Sequence, residues 1–96
     1  PMAVVTVKFF GSTRQALGID AVDVSIEHGE SAESLLKRLV GRFGEKLARA
    51  LYDSGTDMRK DIILMVNGRN IAALDGLNTK LHDGDLVFIF TSIAGG

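Results

Sequence analysis

Apolar and polar positions divide the chain into segments of two different periods. Over Met2–Phe10, Val5, Val7 and Phe9 alternate with Val4, Thr6, Lys8 and Phe10, the pattern of a strand whose first set faces a core. The second set is mixed, and Phe10 beside a charged neighbour is either a lid over a sheet edge or part of a contact surface. Ala21–Glu27 alternates more cleanly, with Val22, Val24 and Ile26 set against Asp23, Ser25 and Glu27, which predicts a half-buried antiparallel strand. Between them, Gly11–Gly18 has room for a short helix with Ser12 as N-cap and Gly18 as stop, so the flanking strands should pair as a hairpin. After Ser31 the period lengthens. Leu35, Leu36, Leu39, Val40 and Phe43 recur at three- and four-residue spacing, with Ser31 as cap and Glu33 at the positive end of the helix dipole. Lys37, Arg38 and Arg42 fall on the other side or near the C-terminal end and read as a solvated face. Gly44 interrupts, and Glu45–Ser54 predicts a second, shorter helix with Leu47, Ala48, Ala50 and Leu51 inward and Gly55 closing it.

The remaining segments predict strands. Thr56–Lys60 reads as a surface loop, Asp61–Val66 as a strand, and Asn67-Gly68 as a tight hairpin turn, after which Ile71–Leu74 could return as a brief edge strand. Asp75–Lys80 reads as loop with a turn of 3₁₀ helix, and His82-Asp83-Gly84-Asp85 as a turn that feeds the last strand. That strand, Leu86–Phe90, is apolar at every position. Val87 and Ile89 suit a core, which leaves Leu86, Phe88 and Phe90 on the opposite face. Only one face can touch the main helix, so Phe88 and Phe90 should join Phe10 and Met65 on an open face large enough to mark a partner site, unless the loop Asp75–Lys80 covers Phe88. The element order predicts an α+β fold, a mixed four- to five-stranded sheet packed on one main helix. If the first and last strands are neighbours they must be parallel, because a helical crossover separates them, and the arrangement is then a β-grasp.

Composition narrows the function. Ninety-six residues, 46% hydrophobic and 24% charged, suit a single domain over residues 2–96, with Pro1 ahead of Met2 set aside. A formal charge of −1 argues against a nucleic-acid footprint and against anionic membranes as partners. No apolar run approaches a membrane span and no basic start with an apolar stretch precedes the domain, so a cytoplasmic location is expected. Cysteine is absent, which removes disulfides, thiolate metal sites and a cysteine nucleophile together. Resident chemistry is thin: His28 and His82 read as turn residues, and Asp83 and Asp85 as hydrogen-bonding groups of a glycine turn. No metal site is expected. Beyond the last strand, Ser92-Ile93-Ala94-Gly95-Gly96 carries no charged side chain and ends in two residues without Cβ atoms. Fully extended, such an arm reaches about 17 Å, enough to enter a slot in another protein. The reactive group expected on it is the main-chain carboxylate of Gly96, with a frayed terminus as the alternative.

Phe9-Phe10-Gly11 followed by Arg14 and Gly18, then Val66-Asn67-Gly68, then Leu81-His82-Asp83-Gly84-Asp85, then Gly95-Gly96 form an ordered set. In that order they resemble the MoaD/ThiS family of ubiquitin-like sulfur carriers, closest to MoaD, the small subunit of molybdopterin synthase. The resemblance implies that a ubiquitin-activating-type adenylyltransferase, using its own ATP and Mg²⁺, adenylylates Gly96. Sulfur then displaces AMP to leave a thiocarboxylate. It also implies a larger catalytic subunit as second partner, contacts through Phe10, Met65, Phe88, Phe90, Ile93 and Ala94, close passage of Gly95 and Gly96 through a narrow channel, and no cofactor bound by this chain. The chain would then be a carrier and substrate rather than an enzyme. Conjugation to lysines as a protein modifier, a ThiS-like role in another sulfur pathway, and an inert interaction module are the competing readings. One departure is Thr91-Ser92, where the family commonly has two prolines; the expected consequence is a looser exit for the arm.

Overall fold

The computed structural model describes residues 2–54 and 57–92. Strand β1 (Met2–Phe9) is followed by helix α1 (Gly11–Leu17), strand β2 (Ala21–Glu27), helix α2 (Ala32–Phe43) and helix α3 (Glu45–Leu51). A two-stranded ribbon comes next, β3 (Tyr52–Ser54) with β4 (Asp57–Met58), then β5 (Ile62–Val66), β6 (Arg69–Asn70) and finally β7 (Leu86–Thr91). Short 3₁₀ turns at Ile71–Ala73 and Gly76–Asn78 lie between β6 and β7.

The main sheet has the order β2-β1-β7-β5-β6. β1 and β7 run parallel at its centre, Val7 opposite Val87 and Phe9 opposite Ile89, as the helical crossover requires. The other pairings are antiparallel, and together they make the ubiquitin-like β-grasp expected from the pattern. Alternation sends Ala3, Val5, Val7 and Phe9 of β1, Val24 and Ile26 of β2, Leu64 and Val66 of β5 and Val87 and Ile89 of β7 into one buried layer. Leu35, Leu36 and Leu39 of α2 and Leu47 and Leu51 of α3 complete that layer from the helical side. Phe9 meets Phe43 edge-on at 6.1 Å, which brings the C-terminal end of α2 down onto the sheet. No described helix is long and apolar enough to cross a membrane.

The local signals hold where chain geometry enforces them. Ser31 Oγ accepts from the Ser34 amide at 3.1 Å and caps α2. Asn67 and Gly68 both take positive φ, 51° and 85°, so Val66 pairs with Arg69 across a two-residue turn. The strand-pair expectation for β1 and β2 holds in register, with α1 as the short helical link and Gly18 as its stop, as the spacing predicts.

Other expectations need correction. Ser12 does not cap α1: Gly11, at φ 58°, opens the helix, so extended Phe10 takes the cap position and Ser12 sits inside the first turn. The second helix stops at Leu51 instead of Ser54, because Tyr52 turns extended and pairs with Met58, and Ala50 stays outside the core. Its expected terminator, Gly55, lies outside the described residues, as does Thr56. The polar loop therefore contains the short strand Asp57–Met58. The edge strand is Arg69–Asn70 rather than Ile71–Leu74; the Asn70 side chain accepts from the Ala72 amide at 2.9 Å and starts a 3₁₀ turn that buries Ile71.

Just before α2, Arg38 grips the Glu30 carboxylate through Nε at 2.5 Å and Nη2 at 2.8 Å. That ion pair holds the Glu30 carboxyl at about 2, against an ordinary value of 4.5, although partial burial pulls the other way. A depressed carboxyl stabilises the fold above its unfolded value and loses that contribution as pH falls through its folded value. Stability should therefore decline from about pH 4.5 toward pH 2, and Arg38→Gln should flatten that limb in urea titrations at stepped pH.

Candidate partner face and C-terminal exit

The face of the sheet away from the helices carries the aromatic cluster. Phe10 meets Phe88 at 5.1 Å between ring centroids and Phe90 at 6.4 Å, both tilted toward edge-on. Phe88 lies opposite Met65 and Phe90 opposite Ile63 in the antiparallel β5–β7 ladder, so Met65 and Ile63 extend the patch toward β5. Phe10 is 39% exposed and Val4 44%, while Met65, Phe88 and Phe90 are half-buried. Phe10 thus lies on the open face over the end of β7, in contact with both rings of that strand. The loop Asp75–Lys80 does not cover Phe88: its Leu77 lies on the helical side, lining a groove with Leu36, Val40, Tyr52 and Met58.

A residue that the sequence reading missed holds Phe10 in place. Thr13 is fully buried, and its Oγ1 lies 2.8 Å from the Phe10 carbonyl and 3.2 Å from the Ile89 carbonyl. The Ile89 carbonyl also accepts from the Phe10 amide at 3.0 Å, which extends the β1–β7 connection by one residue. A threonine hydroxyl three positions after an aromatic was the available signal, but its long-range acceptor, Ile89, is not local in the chain.

The end of β7 is held more firmly than its Thr-Ser composition suggests. Thr91 pairs with Ile62 in the ladder, its Oγ1 lies 2.5 Å from Ser12 Oγ, and the Ser92 amide donates to the Asp61 carbonyl at 2.7 Å. The Asp61 carboxylate is gripped by Arg59 at 3.1 and 3.2 Å, and this ion pair lowers its pKa below the usual carboxylate range. The chain is therefore tied through Ser92. The expected site residues Ile93, Ala94, Gly95 and Gly96 lie outside the described residues.

The carboxylates of the last turn are occupied structurally. Asp83 accepts from the Val4 amide at 2.8 Å, and Asp85 accepts from the His82 amide and from Asn67 Nδ2 at 2.8 and 2.9 Å. His28 and His82 meet edge-on at 4.9 Å at that end of the sheet. Among the described residues no cluster of three or more His, Asp or Glu side chains is placed to hold a metal. The geometry places a partly exposed apolar face at the centre of the sheet and the end of the described chain on the same central strand.

Related proteins match this chain over most of their own length. Small archaeal modifier protein 3 of Haloferax volcanii is 29% identical over 89 residues, 93% of this chain and 95% of its own. The solution structure of small archaeal modifier protein 1 from Methanosarcina acetivorans has a TM-score of 0.84 at 30% identity, covering 100% of this chain and 99% of that one. A protein from Pyrococcus furiosus assigned as molybdopterin converting factor subunit 1 has a TM-score of 0.75 at 28% identity, covering 95% of this chain and 99% of its own. A model of the ThiS family matches residues 7–96, and the chain belongs to that family of ubiquitin-like small carrier and modifier proteins.

Proposed function

We propose that this chain is a sulfur carrier whose Gly96 carboxylate is converted to an acyl adenylate and then to a thiocarboxylate. The observation that carries the reading is the placement of the exit: the strand that bears Phe88 and Phe90 on the open face also delivers the last residues. A partner seated on that face lies beside the point where the arm leaves. A free carboxylate has a pKa near 3.5 and is ionised, hence a poor electrophile, at neutral pH. Activation therefore needs a separate enzyme. A ubiquitin-activating-type adenylyltransferase, with its own ATP and Mg²⁺, joins the carboxylate to AMP and releases pyrophosphate. A sulfur nucleophile then displaces AMP. The likeness to the Pyrococcus furiosus converting-factor subunit supports molybdopterin synthase as the destination, with this chain as its small, non-catalytic subunit beside a larger catalytic one.

A second reading uses the same activated carboxylate. Likeness to two small archaeal modifier proteins supports transfer of Gly96 to lysine amines of other proteins. Pyrophosphate release on mixing the chain with a ubiquitin-activating-type enzyme and ATP tests what both readings share; its absence, with the same enzyme active on a control carrier, removes both. Adding a sulfur donor or a lysine-bearing acceptor then separates carriage from conjugation.

A further inference from the structure

Strand ends at a surface usually fray, yet the last two described residues are tied to separate segments of the fold. On one side, α1 begins directly over the exit: Gly11 lies close enough to Thr91 that a Cβ there would sit 3.9 Å from its amide and hydroxyl, and Ser12 Oγ meets Thr91 Oγ1. On the other side, the turn before β5 supplies the Asp61 carbonyl to the Ser92 amide. That turn is itself stapled, by the Ile62 amide donating to the Arg59 carbonyl at 3.2 Å and by the two-point grip of Arg59 on Asp61. The side chains involved are exposed or half-buried and add little apolar burial. A bond between two exposed hydroxyls contributes modestly to folding, but it ties the end of β7 to the start of α1.

We propose that Ser12, Thr91 and the Asp61 carbonyl form a collar that aims the chain as it leaves β7, with Ser12 and Thr91 acting as positioning residues for the charging of Gly96. The collar does by hydrogen bonding what a stiff backbone would do by restricting φ. It rests on the carrier reading only for its consequence, since the collar itself is a property of the free chain. An arm that starts in one direction loses less freedom on entering a partner's channel, so the collar acts on binding rather than on the chemical step.

The test compares the full-length chain with Thr91→Val, Thr91→Ser, Ser12→Ala and the Thr91→Val/Ser12→Ala pair. In ¹⁵N relaxation of the free protein, the Ser92 amide should fall from the rigid range near 0.85 toward about 0.6 in Thr91→Val and Ser12→Ala, and return in Thr91→Ser. The pair should move no further than either single change, because both remove one bond. With the activating enzyme, KM for the chain should rise roughly two- to tenfold and kcat stay level. An unchanged Ser92 order parameter in Thr91→Val overturns the collar. A mobile Ser92 with unchanged KM overturns its positioning role. If the unaltered chain is never charged, the carrier reading fails and the role in charging goes with it, a result separable from the relaxation data, which need no enzyme.

Discussion

A chain lacking Gly95 and Gly96 should unfold at the same temperature as the full chain and lose charging almost completely. The fold half of this expectation follows from where the buried side chains are: among the described residues Val87 and Ile89 are the last to enter the core, and β7 closes against β1 and β5 before the removed residues. The charging half follows from reach and sterics. Removing two residues withdraws the terminal carboxylate by about 7 Å, and a misplacement of about 1 Å at a reacting group already costs on the order of 100-fold. The shortened chain would also place Cβ atoms where glycine allows close backbone approach. Thermal unfolding by circular dichroism and pyrophosphate release by the activating enzyme check the two halves. Equal charging of both chains would show that Gly96 is not the site.

Phe88→Asp and Phe90→Asp should each weaken binding of the activating enzyme by about 30-fold or more while the protein remains cooperatively folded. Aromatic anchors at the centre of an interface commonly contribute about 2 kcal/mol or more, and a carboxylate buried there without a partner adds a desolvation cost. The folding cost is bounded because both side chains are half-exposed on the helix-free face. What is lost is the edge-on contact with Phe10, worth about 0.5–1.5 kcal/mol per pair. Lys8 stands opposite Phe88 in the parallel register, so a carboxylate introduced there has a cation nearby. Calorimetric titration against the enzyme and urea unfolding measure the two effects. Loss of cooperative unfolding would place these rings in the core, and unchanged affinity would place the docking face elsewhere.

The central sheet and its open face were legible because one physical rule, the two-residue period of a strand, decides both. Once Val87 and Ile89 face the helices, Phe88 and Phe90 must face away, and Phe10 follows at the end of the parallel neighbour. The parallel pairing was legible only on the condition that the first and last strands are neighbours; parallel neighbours need a long crossover, which the helical segment between them supplies. What sequence reasoning missed depends on contacts between distant positions or on single backbone angles. The Tyr52–Met58 ladder is too short to show alternation, and it ends α3 earlier than the leucine and alanine spacing implies. Ser12 has the composition of a cap, but the positive φ of Gly11 moves the helix start and frees the hydroxyl for Thr91, 79 positions away. Thr91-Ser92 reads as slack in one dimension and is tied in three. The buried hydroxyl of Thr13 belongs to the same group, because its reason for being polar is a carbonyl on the last strand.

The central claim is that the terminal carboxylate is charged by another protein and then carries sulfur. Intact mass of the full chain, taken after incubation with a ubiquitin-activating-type enzyme, ATP, Mg²⁺ and a sulfur donor, tests it most directly. The account predicts a gain equal to the exchange of one oxygen for one sulfur, confined by fragmentation to Gly96. An unchanged mass, with the same mixture converting a control carrier, would contradict it.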